Sequence, residues 1–387
     1  MARLNVLMMT PWYPSKDSPV LGVFVRECAK AVGLRDQVVV LHCAGSDPSR
    51  RQLVGVEQET NEVLTQGIPT YRCWYRRSPV PKTTFLLSPF LEPWSASRAY
   101  DEIVRHGFRP DIIHAHVYSA GLLAVRLGQR HHVPVVITQH SFLSRRHIRQ
   151  ARLAFEKADT VMPVSHSLRK AIEACGIRAN FQVVPNVVDT GLFHPNPQPR
   201  TGTGPKRLLC VCLLDENKGM RYLLGAVAAL PPEVGPWQLD IVGDGPERQP
   251  LEALARKLDI ADRMIFHGIQ PKPKVADFMR AADLFIVPSL TETFSVVAAE
   301  ALASGLPVLT TRCGGPEEFV DQRNGLAVSP GSTRALRDGL LDLLGRLETF
   351  SRDATSRYAR ERFAPEQVGD IVHRTYEGLI LSTSRCA

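Results

Sequence analysis

The sequence has no run of eighteen or more consecutive apolar residues, the length that a membrane-spanning helix needs. Residues 1–9 are expected to form a first strand rather than a signal peptide, because Thr10 and Pro11 end the apolar run too early. The eight cysteines show none of the paired spacings typical of zinc sites or disulfide frameworks. We therefore expect a cytoplasmic protein with reduced thiols and no structural metal.

A complete dinucleotide-binding glycine motif is also missing. Gly243-Asp-Gly245 is followed by Arg248 at the position where the third glycine belongs, which argues against a dehydrogenase. No recognised nucleic-acid-binding module accompanies the basic residues, so we do not expect a nucleic-acid partner.

Acidic residues are scarce in the first half of the chain. Residues 1–190 contain 24 Lys and Arg against 15 Asp and Glu, whereas the remainder contains 23 against 24. The basic excess has two interpretations. It is either an ordinary solvated face, or a surface that binds anionic lipid headgroups or an anionic acceptor. The apolar run 85–91 with Trp94 favours peripheral membrane contact at the inner face of the cell membrane. Two groups carry much of this excess: Arg72, Arg76 and Arg77, interleaved with Tyr71, Trp74 and Tyr75, and Arg145, Arg146, Arg149 and Arg152, beside Phe142 and Leu143.

Short apolar runs alternate with amphipathic stretches along all 387 residues, of which 44% are hydrophobic. This pattern predicts an α/β protein with two doubly wound parallel sheets. Strands are expected near 4–9, 38–42, 111–116, 133–138, 160–164 and 182–185, and near 207–212, 238–242, 263–267, 283–288 and 306–310.

The segment 195–205 contains too much Pro and Gly for either regular element. It predicts a linker at 195–206 between a first domain, 1–194, and a second domain, 207–364.

The most informative segment is one strand–loop–helix–strand unit, with strands at 283–288 and 306–310 and a helix at 295–303. In such a unit ligands bind beyond the carboxyl end of the strand, and the amino end of the helix favours an anion. Glu292 lies in that loop, and Glu300 lies about one and a half turns into an apolar helix, where it needs a partner. Two carboxylates beside an anion site suit a ligand with both phosphate and hydroxyl groups.

The residues from Ala282 to Val328 closely resemble the donor-binding signature of retaining glycosyltransferases of family 4, and the resemblance extends over essentially the whole chain. Six pieces of the signature stand in the family's order and spacing: Pro288-Ser289, Glu292-Thr-Phe294, Glu300-Ala301, Ser304-Gly305-Leu-Pro307-Val308, Gly314-Gly315-Pro316-Glu317-Glu318 and Asn324-Gly325. Further matching pieces are Pro185-Asn186-Val-Val-Asp189 with Phe193, Lys218-Gly219, Gly243-Asp-Gly245-Pro246 and the segment from Pro11 to Phe24.

The resemblance implies the GT-B fold, two Rossmann-like domains facing a cleft, with a terminal helix at about 365–387 that packs back on the first domain. It implies retaining transfer of a hexose-type sugar from a nucleotide diphosphate sugar, with UDP favoured and GDP the alternative, to a hydroxyl acceptor. No cofactor and no metal is implied, and the acceptor is expected to be a lipid-linked or polysaccharide intermediate, or else a soluble small molecule.

The resemblance also assigns roles in the second domain. Lys218 is expected to meet the diphosphate, Glu292 the hydroxyls of the donor sugar, and Glu300 the ribose hydroxyls. The backbone of Thr293, Phe294 and Ser295 is expected to touch sugar and phosphate.

In the first domain the resemblance places the Gly22 loop against the donor phosphates and His140 near the reacting sugar. His140 and Glu292 are thus the expected catalytic residues. His114 and His116 alternate along a strand without a third metal ligand, and His116 is expected to contact the acceptor instead.

One departure from the family stands at Leu213. Members of the family commonly have an Arg five positions before the diphosphate-binding Lys, and its absence here puts catalytic efficiency or donor choice in doubt. It motivates an alternative function, a nucleotide-sugar-binding protein without transferase activity. A sugar-nucleotide epimerase of the same fold is disfavoured, because the spacing of Glu292 and Glu300 belongs to transferases.

Overall fold

The structure is a computed structural model. It describes residues 3–16, 18, 21–47, 52–76, 81–196 and 204–386, without the side chains of 46–47, 81–89 and 383–386. The chain forms two compact units, Met1–Val187 with Pro365–Ala387, and Val188–Ala364. The division therefore falls shortly before the segment 195–206 that was expected as the linker, of which 197–203 lie outside the described residues.

The first unit is built around a sheet of seven described strands in the order β3-β4-β2-β1-β5-β6-β7. Its neighbouring strands are parallel except for the β3–β4 pair, which is antiparallel. The strands are β1 (Asn5–Thr10), β2 (Gln37–Asp47), β3 (Val54–Glu59), β4 (Thr70–Arg76), β5 (Ile112–His116), β6 (Val135–Gln139) and β7 (Thr160–Pro163). The helices between them are α1 (Val23–Gly33), α2 (Glu62–Thr65), α3 (Pro81–Arg105), α4 (Val117–His131), α5 (Ile148–Phe155) and α6 (His166–Ala174).

The second unit contains a fully parallel sheet of six described strands in the order β10-β9-β8-β11-β12-β13. Its strands are β8 (Lys206–Val211), β9 (Trp237–Val242), β10 (Met264–Phe266), β11 (Leu284–Val287), β12 (Val308–Thr311) and β13 (Gly325–Val328). Its helices are α7 (Met220–Ala228), α8 (Arg248–Lys257), α9 (Lys272–Ala281), α10 (Val296–Ala303), α11 (Thr333–Gly345) and α12 (Arg352–Phe363).

Continuous apolar runs explain these central strands, because a parallel strand with helices on both faces is buried on both sides. Val6, Leu7, Met8 and Met9 of β1 are fully buried, as are Leu284 to Ile286 of β11. Each sheet thus has a core on both of its faces.

The last helix, α13 (Pro365–Cys386), returns to the first unit and packs against α1. Val368, Val372 and Tyr376 join the buried cluster that contains Val25 and Ala29. The approach is close, because a Cβ on Gly369 would lie 2.4 Å from the carbonyl oxygen of Ala31.

The strand expectations for the first sheet were incomplete. β3 and β4 were not predicted, and the expected strand at 182–185 is wrong: only an isolated bridge between Val161 and Phe181 forms there. Because β3 runs antiparallel to β4, the first sheet is mixed at one edge. In the second sheet β13 was missed.

The first basic and aromatic group also differs from its expectation. Tyr71, Trp74 and Tyr75 are buried within β4, where α3 and the neighbouring strands cover them, so these rings are core residues rather than a surface for lipid. Arg77 and the side chains of 85–89 lie outside the described residues, and Leu91 is buried. Phe90 and Trp94 of α3 are exposed, as expected.

Candidate active site

One pocket of the second unit lies where the strand order of its sheet reverses. β8 and β11 are neighbours, while the strands that follow each of them lead away in opposite directions. In open α/β sheets this switch point, at the carboxyl ends of the strands, is where ligands bind. A pocket of about 390 Å³ occupies it. Its polar and charged lining residues are Cys210, Cys212, Asp215, Asn217, Lys218, Ser289, Glu292 and Ser295.

The loops after β8 and β11 are held together by hydrogen bonds. The Asn217 side chain donates to the carbonyl of Thr291 at 2.9 Å and accepts from the Thr291 hydroxyl at 2.7 Å. Gly219 permits this close approach. Its φ of +63° lies in the left-handed region, which glycine adopts without the steric cost that other residues pay, and an added Cβ would lie 2.2 Å from the carbonyl oxygen of Pro288. These contacts fix Lys218 opposite Glu292.

Lys218 and Glu292 form an ion pair inside the pocket. The Nζ atom of Lys218 lies 2.8 Å from Oε1 of Glu292, and the Ser289 hydroxyl donates to the same oxygen at 2.8 Å. The backbone of Glu292 is held as well, because its N–H donates to Cys313 at 2.8 Å and its carbonyl accepts from Gly315 at 2.9 Å. The carboxylate is therefore positioned by both its side chain and its main chain.

The ion pair keeps the lysine charged. Burial lowers the pKa of Lys218, but the negative charge of Glu292 and the hydrogen bond to it raise the pKa by more, so that it lies above its ordinary value. The ammonium group is thus a stable cation at neutral pH, suited to a phosphate or a developing negative charge.

The start of α10 adds an anion-binding element to the same pocket. Ser295 precedes the helix with a positive φ of 67°, and Val296 and Val297 line the pocket beside it. The first N–H groups of a helix have no partner within the helix. The Ser295 hydroxyl oxygen is buried, and no hydrogen-bond partner is found for it among the described atoms. A strained residue with an unsatisfied hydroxyl is typical of a ligand site.

Glu300 is buried in α10, as its apolar neighbours predicted, and its Oε1 lies 3.0 Å from Nζ of Lys272. It does not line the pocket that contains Glu292. The structure therefore brings Lys218, Glu292 and Ser295 together, and it places Glu300 in an ion pair at the start of α9.

Thr293 and Phe294 follow Glu292 but do not line the pocket either. The ring of Phe294 is buried and packs against Phe319 and Phe363, with centroid distances of 5.2 and 5.5 Å. Its side chain is a core residue, so a ligand contact at this position is left to the backbone.

Leu213 lies at the mouth of the same pocket, and its side chain is 58% exposed. Lys218 is the single cationic side chain among the described lining residues. Members of the family commonly have an arginine at the position of Leu213. Among the described lining residues, no other arginine supplies its guanidinium group to this pocket.

In the first unit three histidines form a stack along β5 and at the carboxyl end of β6, with His114 and His116 fully buried and His140 half-buried. His114 stacks on His116 with a centroid distance of 4.8 Å, and His116 stacks on His140 at 5.1 Å. Nδ1 of His116 lies 2.8 Å from Nε2 of His140, whose Nδ1 lies 3.1 Å from Oδ1 of Asn186. Since His116 is fully buried, it touches His140 and presents no surface to an acceptor in this structure.

Burial sets the protonation state of this stack. It lowers the pKa of His140 and of His114 to about 3 each, and it lowers that of His116 well below the ordinary value. All three imidazoles are therefore neutral at physiological pH, and each has one N–H to donate.

Gly22 immediately precedes α1 and has a φ of 72°. An added Cβ would lie 2.2 Å from the carbonyl oxygen of Trp12, so the local fold alone requires glycine here. Two residues later, the ring of Phe24 lies 4.5 Å from that of His140, which joins the Gly22 loop to the histidine stack.

Within the described part of the chain, no group of three or more His, Cys, Asp or Glu residues could hold a metal ion. The seven cysteines with described side chains are free thiols; Sγ of Cys210 lies 3.9 Å from Sγ of Cys212. Over the same described residues, no helix is long and apolar enough to cross a membrane.

Sequence reasoning missed several residues that hold the site together. Ser289 and Asn186 stood in recognised motifs but had been given no role, and Asn217 precedes Lys218 directly. Lys272 gave no signal in the sequence, because only the fold shows that it meets Glu300.

Two family models match the chain. "Glycosyltransferase Family 4" matches residues 21–192, and "Glycosyl transferases group 1" matches residues 205–346. Among curated relatives, a Bacillus subtilis (strain 168) protein named as the teichuronic acid biosynthesis glycosyltransferase TuaC is 28% identical, over 97% of this chain and 94% of its own. A glycogen synthase of Mycobacterium tuberculosis is 25% identical, over 94% of this chain and 91% of its own.

Solved structures show the same fold. Sucrose-phosphate synthase from Thermosynechococcus elongatus has a TM-score of 0.76 at 19% identity, over 98% of this chain and all of its own. Anabaena HepE, solved in complex with UDP, has a TM-score of 0.75 at 21% identity, over 97% of this chain and all of its own. The fold expected from the sequence, GT-B, is confirmed.

Proposed function

The chain belongs to glycosyltransferase family 4, the glycosyl transferases of group 1, and from this premise we propose that it transfers a hexose-type sugar from a nucleotide diphosphate sugar to a hydroxyl acceptor. The observation that carries the proposal is the Lys218–Glu292 ion pair beside the start of α10, at the switch point of the second sheet. One pocket thus offers a cation, free backbone N–H groups and a carboxylate.

These groups match the parts of a nucleotide diphosphate sugar. Lys218 and the first N–H groups of α10 suit the diphosphate, since both favour negative charge. Glu292 suits the sugar, because a carboxylate accepts hydrogen bonds from paired hydroxyls. By resemblance to the family, Glu300 is proposed to accept hydrogen bonds from the ribose hydroxyls. These bonds would replace part of its ion pair with Lys272.

We propose transfer with retention, by a reaction on one face of the sugar. The bond between the anomeric carbon and the phosphate oxygen breaks, and the acceptor oxygen forms the new bond to that carbon. The acceptor proton passes to the departing phosphate. Lys218 and the helix N–H groups stabilise the charge that develops on the diphosphate, so the proposal includes neither a cofactor nor a divalent metal. His140 is proposed to act near the reacting sugar.

A UDP-sugar is the favoured donor, and a GDP-sugar is the alternative. The fold relative HepE was solved with UDP and with UDP-glucose. The name of TuaC refers to teichuronic acid biosynthesis, which supports an acceptor in cell-envelope polysaccharide or glycolipid synthesis. A soluble small-molecule acceptor is the alternative.

Nucleotide release from UDP-, GDP- and ADP-sugars, measured without acceptor, tests the proposal. We expect release from one donor, lost in Glu292→Ala and retained in Glu348→Ala, which changes an exposed glutamate outside the pocket. Binding of a nucleotide sugar without turnover, with or without an added acceptor extract, would favour the non-catalytic alternative.

We also propose peripheral attachment at the cytoplasmic face of an anionic membrane. The supporting surface is the exposed group Arg145, Arg146, Arg149 and Arg152 around α5, together with the exposed Phe142 and Leu153. Basic residues that flank apolar side chains favour anionic lipid. Sedimentation of the protein with phosphatidylglycerol vesicles tests this proposal. We expect less sedimentation with phosphatidylcholine vesicles and for the double variant Arg145→Glu/Arg149→Glu. Equal sedimentation in every case would contradict the proposal.

A further inference from the structure

The pocket wall of the second unit carries little net charge. Its charged lining residues among those described are Asp215, Lys218 and Glu292. Asp215 already accepts a hydrogen bond from the Lys218 N–H at 3.1 Å, and the Lys218 side chain is paired with Glu292 at 2.8 Å. With Leu213 in place of an arginine, no second cation among the described lining residues offsets these carboxylates. A diphosphate therefore enters a site in which the cation, Lys218, is already paired with Glu292.

The Lys218–Glu292 pair is shielded from water, with side-chain exposures of 22% and 14%. A phosphate that takes Lys218 away from Glu292 leaves the carboxylate close to a second anion. Its one remaining side-chain hydrogen bond to a described residue is then the one from the Ser289 hydroxyl. Leaving a part-buried charge without its partner is costly, and like charges at short range repel.

An attached sugar changes this balance. Its hydroxyl groups can donate to Glu292 while the diphosphate takes Lys218, so that both partners of the broken pair gain new ones. We propose that the Lys218–Glu292 pair makes the pocket discriminate between the intact nucleotide diphosphate sugar and the bare nucleotide diphosphate that the reaction releases. This inference rests on the proposed function, since it takes this pocket as the donor site.

The pair then serves two steps of the reaction. It disfavours the nucleotide diphosphate until a sugar is present, and it re-forms when the sugar has left, which speeds release of the product. Most differences in affinity at a single site arise in the dissociation rate, so the effect is expected there.

Calorimetric titration with UDP, GDP and ADP, and with UDP-glucose, GDP-mannose and ADP-glucose, tests the inference on the full chain. The variants are Glu292→Gln, which removes the charge at similar size, and Glu348→Gln as the control for an exposed glutamate of the same unit. For the preferred base we expect Glu292→Gln to bind the nucleotide diphosphate on the order of tenfold more tightly than wild type. Its affinity for the nucleotide sugar is expected to be unchanged or weaker, and Glu348→Gln is expected to match wild type.

Two results would overturn the inference in distinguishable ways. If wild type binds and turns over a donor, but Glu292→Gln binds the nucleotide diphosphate no more tightly, the discrimination is absent and the proposed function stands. If neither protein binds any nucleotide of the panel, although both melt cooperatively at similar temperatures, the donor site itself is contradicted, and the inference with it.

Discussion

Nδ1 of His116 lies 2.8 Å from Nε2 of His140, and the two rings are within 10° of parallel. On its other side, Nδ1 of His140 meets Oδ1 of Asn186 at 3.1 Å. An amide oxygen only accepts, so His140 carries its proton on Nδ1, and its Nε2 accepts the proton of His116. Asn186 therefore fixes the proton positions of both histidines.

Asn186→Asp is expected to raise the pKa of His140 from about 3. A carboxylate beside an imidazole favours the charged imidazolium, typically by one pKa unit or more. Asn186→Leu removes the acceptor without adding charge and serves as the control. NMR titration of the histidine rings measures the effect, together with the pH profile of donor turnover. An identical response of both variants would show that Asn186 acts through packing alone.

Acid is expected to destabilise the first unit through its buried histidines. His114 has a folded-state pKa of about 3, below the unfolded value of about 6.5. Between these values the unfolded chain binds a proton that the folded chain does not, so stability is lost as the pH falls through 6.5 and levels off below 3. From pH 7.5 to pH 5 the loss from this histidine is about 2 kcal/mol.

Urea unfolding of wild type and His114→Gln at several pH values checks this expectation. The variant is expected to be less stable at pH 7.5, because it loses hydrogen bonds to Tyr376 and Thr138, but to show a shallower decline with acid. His132→Gln changes an exposed histidine of the same unit and provides the control. Parallel declines in all three proteins would refute the assignment to His114.

Leu213→Arg is expected to strengthen nucleotide diphosphate binding by roughly three- to tenfold. The side chain is exposed at the pocket, so an arginine can reach solvent and phosphate with little cost in stability. Ile269→Arg adds the same charge at another exposed position of this unit, outside the pocket lining. Calorimetric titration with UDP and GDP compares the two, and an equal gain in both would point to net charge instead of the site.

Much of the fold was predictable because parallel strands buried on both faces leave continuous apolar runs, as in β1 and β11. β4 escaped prediction because Arg72 interrupts its buried residues and Arg76 ends it, which made a covered strand resemble an exposed basic face. β13 is only four residues long and begins at Gly325, so its local signal is weak.

The site was predictable in its composition but not in its contacts. The order of motifs selected Lys218, Glu292 and Ser295, because each follows a strand or precedes a helix at the ligand-binding edge. Which partner each charge takes depends on distances across the fold, so the pairing of Glu300 with Lys272 could not be predicted. The same holds for Asn186, which lies 46 residues from His140.

Gly22→Ala is expected to destabilise the protein by about 1–3 kcal/mol. Gly22 has a φ of 72°, and an added Cβ would lie 2.2 Å from the carbonyl oxygen of Trp12, a backbone atom that cannot rotate away. Gly33 offers a matched control at the other end of α1, because an added Cβ there meets nothing within 4 Å. Gly33→Ala is expected to be neutral or to stabilise by up to about 1 kcal/mol. Urea unfolding measures both, and a fully stable Gly22→Ala protein with reduced donor affinity would show that this glycine is needed for the ligand rather than for the fold.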